Sequence, residues 1–288
     1  MDTLLLKTAS AGAIAALSLA GTGCTMSTSV DGGNRMTMGG NIDMTLDQDD
    51  DLSLMGGDMT LNGRVGGDVS VIGGDIEADL DVGGDLSFVG GEVNFRGSVH
   101  EASIAGGDID WNGNSRADVS IAGGDIRVAG TIGGELNVAG GELDLPRDLR
   151  VEGDASTAGG EIDFSGHVRG EYASGAREMR VGGVIEGPVK LAAEPGEGRW
   201  SWRASADGDG ARAGSANGLV EITGELRQGG MVCARNVVIL NNARISGTLR
   251  IWSDNEPDIR AGASVGEIVT EDRAGRDCDD IFDDHDRA

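Results

Sequence analysis

A doublet of glycine recurs along this chain with a nearly constant step, and that step constrains the fold more than any other feature. Gly-Gly pairs begin at Gly39, Gly56, Gly73, Gly90, Gly106, Gly123, Gly140 and Gly159, at spacings of 17, 17, 17, 16, 17, 17 and 19 residues, and most are followed at once by Asp or Glu. A second series at Gly66, Gly83 and Gly133 divides the unit into a longer and a shorter half. Within each half apolar and polar residues alternate: Ile76, Ala78, Leu80 and Val82 follow one doublet, Leu86 and Phe88 the next. A period of two belongs to a strand with one face turned inward. Aligned on the doublets, the first inward position reads Ile42, Met59, Ile76, Val93, Ile109, Ile126, Leu143, Ile162. The second reads Met44, Leu61, Ala78, Phe95, Trp111, Val128, Leu145, Phe164. Each series is a column of side chains stacked along an axis.

Self-similarity at a fixed step is the mark of a solenoid. No half-unit has room for a ten-residue helix, so the fold class is all-β: a single-stranded β-helix (β-solenoid) with about 17 residues per coil, interrupted by one insertion loop. The doublets have two expected reasons, corner conformations with positive φ and stacked corners with no room for a Cβ. Glycine at 51 of 288 residues reads as disorder when unpatterned, but here it is periodic. Aromatic residues make up only 3% of the chain, too few for a globule of this size and enough for a narrow aliphatic core.

Residues 1–23 read as a signal peptide, with Lys7, an uncharged run from Ala11 to Ala20 and small residues up to Cys24. That run is too short to span a bilayer as a mature helix. The segment Leu19-Ala20-Gly21-Thr22-Gly23-Cys24 resembles a bacterial lipobox, which implies that Cys24 carries lipid and ties the mature chain to a membrane. Cleavage as an ordinary secreted protein is the alternative. Thr25 after the cysteine resembles outer-membrane sorting, so the expected location is the cell envelope, facing the periplasm or the surface.

Residues 24–38 are small and polar and read as a tether, and 39–191 carry the repeats. Asp47, Asp49, Asp50 and Asp51 are expected in the first coil, guarding an open solenoid end. Residues 192–217 break the period and hold Trp200 and Trp202, either a partner- or glycan-binding ledge or a flap over the solenoid edge. Coils return over 218–270, and 271–288 form an acidic tail, expected as a cap or a disordered end.

The phrasing Ala243-Arg244-Ile245-Ser246-Gly247-Thr248-Leu249-Arg250-Ile251 and Ile259-Arg260-Ala261-Gly262-Ala263-Ser264-Val265-Gly266-Glu267-Ile268, preceded by the GGD and GGE coils, resembles the bactofilins. These are polymer-forming cytoskeletal β-helix proteins of bacteria, so the resemblance implies self-association. The chain adds to that pattern an export signal, a Trp-bearing insertion and a longer stack.

A net charge of -26 argues against a nucleic-acid partner. Stacking puts Asp58, Asp75, Glu92, Asp108, Asp125, Glu142 and Glu161 in one column and Asp51, Asp68, Asp85, Glu101, Asp118, Glu135 and Glu152 in another. Carboxylates about 4.8 Å apart repel by roughly 0.9 kcal/mol per pair even at water's dielectric. Solvation, salt, arginines such as Arg64 and Arg127, or bound Ca²⁺ or Mg²⁺ must offset this. No other cofactor and no dedicated metal site is expected.

With Cys24 taken by lipid, Cys233 and Cys278 form an even pair in a compartment that permits disulfides, free buried thiols being the alternative. Gly262-Ala263-Ser264-Val265-Gly266 matches the nucleophile-elbow spacing, but the flanks are repeat and only His285 follows. His100 and His167 recur at no motif spacing, and Asp207-Gly208-Asp209-Gly210 lacks the closing Glu of a calcium loop. A polysaccharide-active enzyme would need convergent carboxylates held by long loops. The expectation is therefore a non-catalytic scaffold, with an adhesin-like or glycan-binding module using Trp200 and Trp202 as its rival.

Overall fold

A computed structural model describes residues 26–27, 35–194 and 218–287. Every described strand belongs to one parallel sheet, wound into a β-solenoid of about 12 turns with about 17 residues per coil. Each regular coil has a long arm and a short arm. The long arm Asp75–Val82 lies in register between Met59–Val65 and Glu92–Val99, and the short arm Leu86–Val89 between Val69–Ile72 and Ala102–Ala105. At a coil spacing of about 4.8 Å the stack is roughly 58 Å long.

Alternation in sequence becomes alternation in burial. Along Asp75–Val82 the inward Ile76, Ala78, Leu80 and Val82 are buried and the residues between them exposed. The two inward columns expected from the repeat run in register from Ile42 and Met44 up to Val237 and Ile239. At mid-stack the core is thickened by aromatics: Phe95 stacks on Trp111 with ring centroids 4.6 Å apart. Gly113 makes this possible, since a Cβ there would come within 2.7 Å of the Phe95 ring.

The doublets owe their glycines to crowding and not to backbone handedness. None of the doublets from Gly39 to Gly159 has a positive φ. A Cβ on Gly57 would sit 2.9 Å from the carbonyl oxygen of Gly40 in the coil below, and one on Gly91 3.2 Å from that of Gly74. Positive φ occurs instead halfway along alternate long arms, at Gly63 (122°), Gly97 (129°) and Gly130 (101°). There a side chain would collide with the carbonyl oxygen of Leu46, Leu80 or Gly113.

After Gly141 the long arm breaks in two. Pro146, which has no N–H for the ladder, separates Glu142–Leu145 from Arg150–Val151, and the following coils keep three short strands, as in Glu161–Phe164, His167–Val168 and Tyr172–Ala176. The insertion does not interrupt the stack: Glu178 pairs with Leu219, and Val189–Ala193 pairs with Gly229–Ala234.

Two segments differ from their reading in the sequence. The segment taken as a tether supplies strands Met26–Ser27 and Arg35–Met38, because the coil behind it offers an unfilled row of backbone donors and acceptors. The run Asp47 to Asp51 therefore lies one coil in from the end. Beyond the last coil strand, Ser264–Asp272, the acidic tail is ordered as a helix, Cys278–Asp286 (α1). Ile281 and Phe282 on α1 pack against Met231, Cys233 and Trp252, giving the helix an apolar seat.

Candidate interaction surfaces

What the coils offer to a partner is their outer surface, and its chemistry is set column by column. On the long arm the carboxylates of Asp75, Glu92, Asp108, Asp125, Glu142, Glu161 and Glu178 follow one another in register, with Asp58 at the near end, all on the outward side. None of these eight forms an ion pair among the described residues. Two residues further along the strand a mixed column offsets part of the repulsion. Arg127 bridges to Asp144, and Arg180 lies 3.7 Å from Asp163 and 2.9 Å from Glu221.

The second acidic column is built differently. Asp51 Oδ1 accepts the backbone N–H of Asp68 at 3.0 Å, Asp68 Oδ1 that of Asp85 at 2.9 Å, and Asp118 Oδ1 that of Glu135 at 2.8 Å. Each carboxylate thus fastens its own coil to the next, and the N–H stabilises the charge it meets. The oxygen rests where the Cβ of Gly67, Gly84 or Gly134 would lie, so glycine before the acid is a steric requirement of the bond. The membership of this column needs one correction. The 19-residue unit shifts the register by two, so Asp154, not Glu152, stacks next to Glu135 and accepts the N–H of Glu171 at 2.7 Å. Glu152 pairs instead with Arg169, whose guanidinium holds that carboxyl below the ordinary range. Where His100 replaces the second glycine, its Nδ1 meets Asp85 Oδ1 at 2.9 Å.

The outward side of the short arm carries two more columns. One reads Ser53, Ser70, Ser87, Ser103, Ser120, Asn137 and Ser156 in register. The other reads Met55, Ile72, Val89, Ala105, Ala122, Ala139 and Ala158, and continues through Gly175 and Ala192 to Cys233 and Trp252.

At its far end this last column is covered by α1. Cys233 and Cys278 are joined by a disulfide with S–S 2.05 Å and Cα atoms 5.6 Å apart. Glu194, at the root of the insertion, accepts the N–H of Cys278 at 2.7 Å and so caps the helix start. Arg273 binds Asp254 through both Nε (2.9 Å) and Nη2 (3.1 Å). Phe282 and His285 meet the Trp252 ring edge-on, at 6.3 and 5.8 Å.

Cys24, Trp200 and Trp202 lie outside the described residues. His167 sits between Arg150 and Glu186 in neighbouring coils. Ser264 opens a strand paired with Arg244, so the Gly262–Gly266 spacing forms no strand–turn–helix elbow. Among the described residues no three His, Cys, Asp or Glu side chains converge as a metal site would need. No described helix is long and apolar enough to cross a membrane.

Sequence reasoning missed the buried hydroxyl cluster. Thr157 Oγ1 lies 3.0 Å from the Tyr172 hydroxyl and donates to Ser174 Oγ at 2.8 Å, inside the core, and burial pushes the Tyr172 phenol above its usual pKa. Its signal was visible: Thr157 and Ser174 fall where Val71 and Phe88 stand in earlier coils. No protein-family model, curated protein or solved structure matched this chain.

Proposed function

We propose that this protein is a non-catalytic cell-envelope lipoprotein whose β-solenoid body serves as a structural, self-assembling scaffold. The observation that carries the reading is the last coil. Its strand Ser264–Asp272 has a paired neighbour on one side only, and Val265 and Ile268, which continue the core, are only half-buried there. An unpaired parallel edge backed by aliphatic side chains is a template for another chain. α1 packs on the side of the stack, against strands Gly229–Ala234 and Val189–Ala193, and leaves that edge open. The anchor rests on the lipobox-like segment ending at Cys24, and the polymer-forming role on the bactofilin resemblance. Divalent cations between the unpaired carboxylates of the long-arm column would stiffen the rod, and a melting temperature indifferent to chelator and to millimolar calcium would remove that part.

Sedimentation and electron microscopy of the purified mature chain test assembly. Length-heterogeneous rods are expected, and a monomer at every concentration overturns the scaffold reading. Labelled palmitate entering the wild type and not Cys24→Ala tests the anchor separately.

A further inference from the structure

The short-arm face contains its own example of how it binds. At the C-terminal end its apolar column, there Ala192, Cys233 and Trp252, is occupied by α1, with Lys190 and Arg250 in register on either side of Met231 in the adjacent column. The occupant is acidic: Asp279, Asp280, Asp283 and Asp284 surround its apolar Ile281 and Phe282. Toward the N-terminus the same column runs on, uncovered by any other described element, as Met55, Ile72, Val89, Ala105, Ala122 and Ala139, with Met55 41% exposed. In the adjacent column serines stand in place of Lys190 and Arg250, and both borders are acidic. One side is bordered by the acids that fasten the coils, beginning at Asp51 and Asp68, and the other by the unpaired carboxylates beginning at Asp58 and Asp75.

We propose that this open stretch is the docking site for a cationic amphipathic helix of a partner protein. The dimensions fit. From Met55 to Ala158 the column crosses six coil steps, roughly 29 Å, the length of a helix of about 19 residues. The serine and apolar columns lie about 7 Å apart, so one helix of about 10 Å diameter covers both and brings its flanks to the two acidic borders. A second copy of this chain does not suit the face, because its own borders are acidic too. The proposal is independent of the anchor and of end-to-end assembly.

The test uses the mature chain and three labelled synthetic peptides of about 19 residues: a helix with a leucine stripe flanked by lysines, the same helix with glutamates for lysines, and a scrambled lysine peptide of equal charge. Fluorescence anisotropy at low and physiological salt gives the affinities. The lysine helix is expected to bind, at least tenfold more tightly than either control and more weakly as salt rises. Val89→Glu with Ala122→Glu is expected to weaken it tenfold or more, while Asn112→Glu on the exposed long arm leaves it unchanged. Both variants change outward residues, and thermal melting checks that they fold. No binding, equal binding of the scrambled peptide, or indifference to Val89→Glu/Ala122→Glu overturns the proposal. So does a dimer of the chain alone that this variant abolishes.

Discussion

At Gly84 the space that a methyl group would need is already taken by the Asp68 carboxylate, on its way to the N–H of Asp85. Glycine and aspartate are therefore one device in two consecutive coils. Gly84→Ala is expected to cost about 1–3 kcal/mol by overpacking, measured by urea denaturation. The penalty should shrink in an Asp68→Ala background, and strict additivity of the two changes would show that carboxylate and methyl do not compete. Tyr172 offers a second check, because it is the only tyrosine of the chain. Burial raises its pKa in the fold. A group of this kind stabilises the native state fully below its unfolded pKa of about 10 and loses that contribution as pH rises through the folded value. Phenolate absorbance should thus appear only together with alkaline unfolding. Tyr172→Phe is expected to unfold at higher pH, while losing about 1 kcal/mol near neutrality from the broken hydrogen bond.

Among the elements, α1 depends most on a covalent partner. A nine-residue helix is marginal by itself, and its seat is a small cluster around Trp252 and Ile281. The bridge to Cys233 spans 45 residues, worth roughly 4 kcal/mol in the chain-entropy picture. In Cys278→Ser the α1 amides are expected to exchange with solvent within seconds, while the Ile104 and Val138 coils keep their protection. Hydrogen exchange read by mass spectrometry decides it, and a protected α1 without the bridge would mean that packing and the Glu194 cap suffice. The arms and inward columns could be read from the sequence because a solenoid repeats one local decision many times. The helix could not, since Asp279, Asp280, Asp283 and Asp284 leave only Cys278, Ile281 and Phe282 to signal an apolar face. The fastening role of Asp51 and Asp68 was equally hidden: sequence shows the charge, but only stacking shows which N–H it meets. The glycine doublets suggested their own reason half correctly, since steric room and positive φ leave the same trace in a sequence.

For the whole molecule, nearest-neighbour stacking makes the coil the unit of stability. Removing the 34 residues Gly57 to Gly90, two coils, rejoins Gly56 to Gly91 and sets Gly97 on Leu46, where Gly63 now lies, so the alternation along the long arms is kept. That variant is expected to keep its β circular dichroism and lose no more than about 5 °C in Tm. Deleting Asp75 alone turns the following strand over and should prevent a cooperative transition altogether.

The bonds between coils run along the rod, so tension applied at its two ends loads them head-on and peels the molecule one turn at a time. Each release of about 17 residues would lengthen the chain by about 55 Å. The Cys233–Cys278 bridge withholds the 45 residues it spans from that extension, giving a rod pulled from its two ends a stop that only a reductant removes.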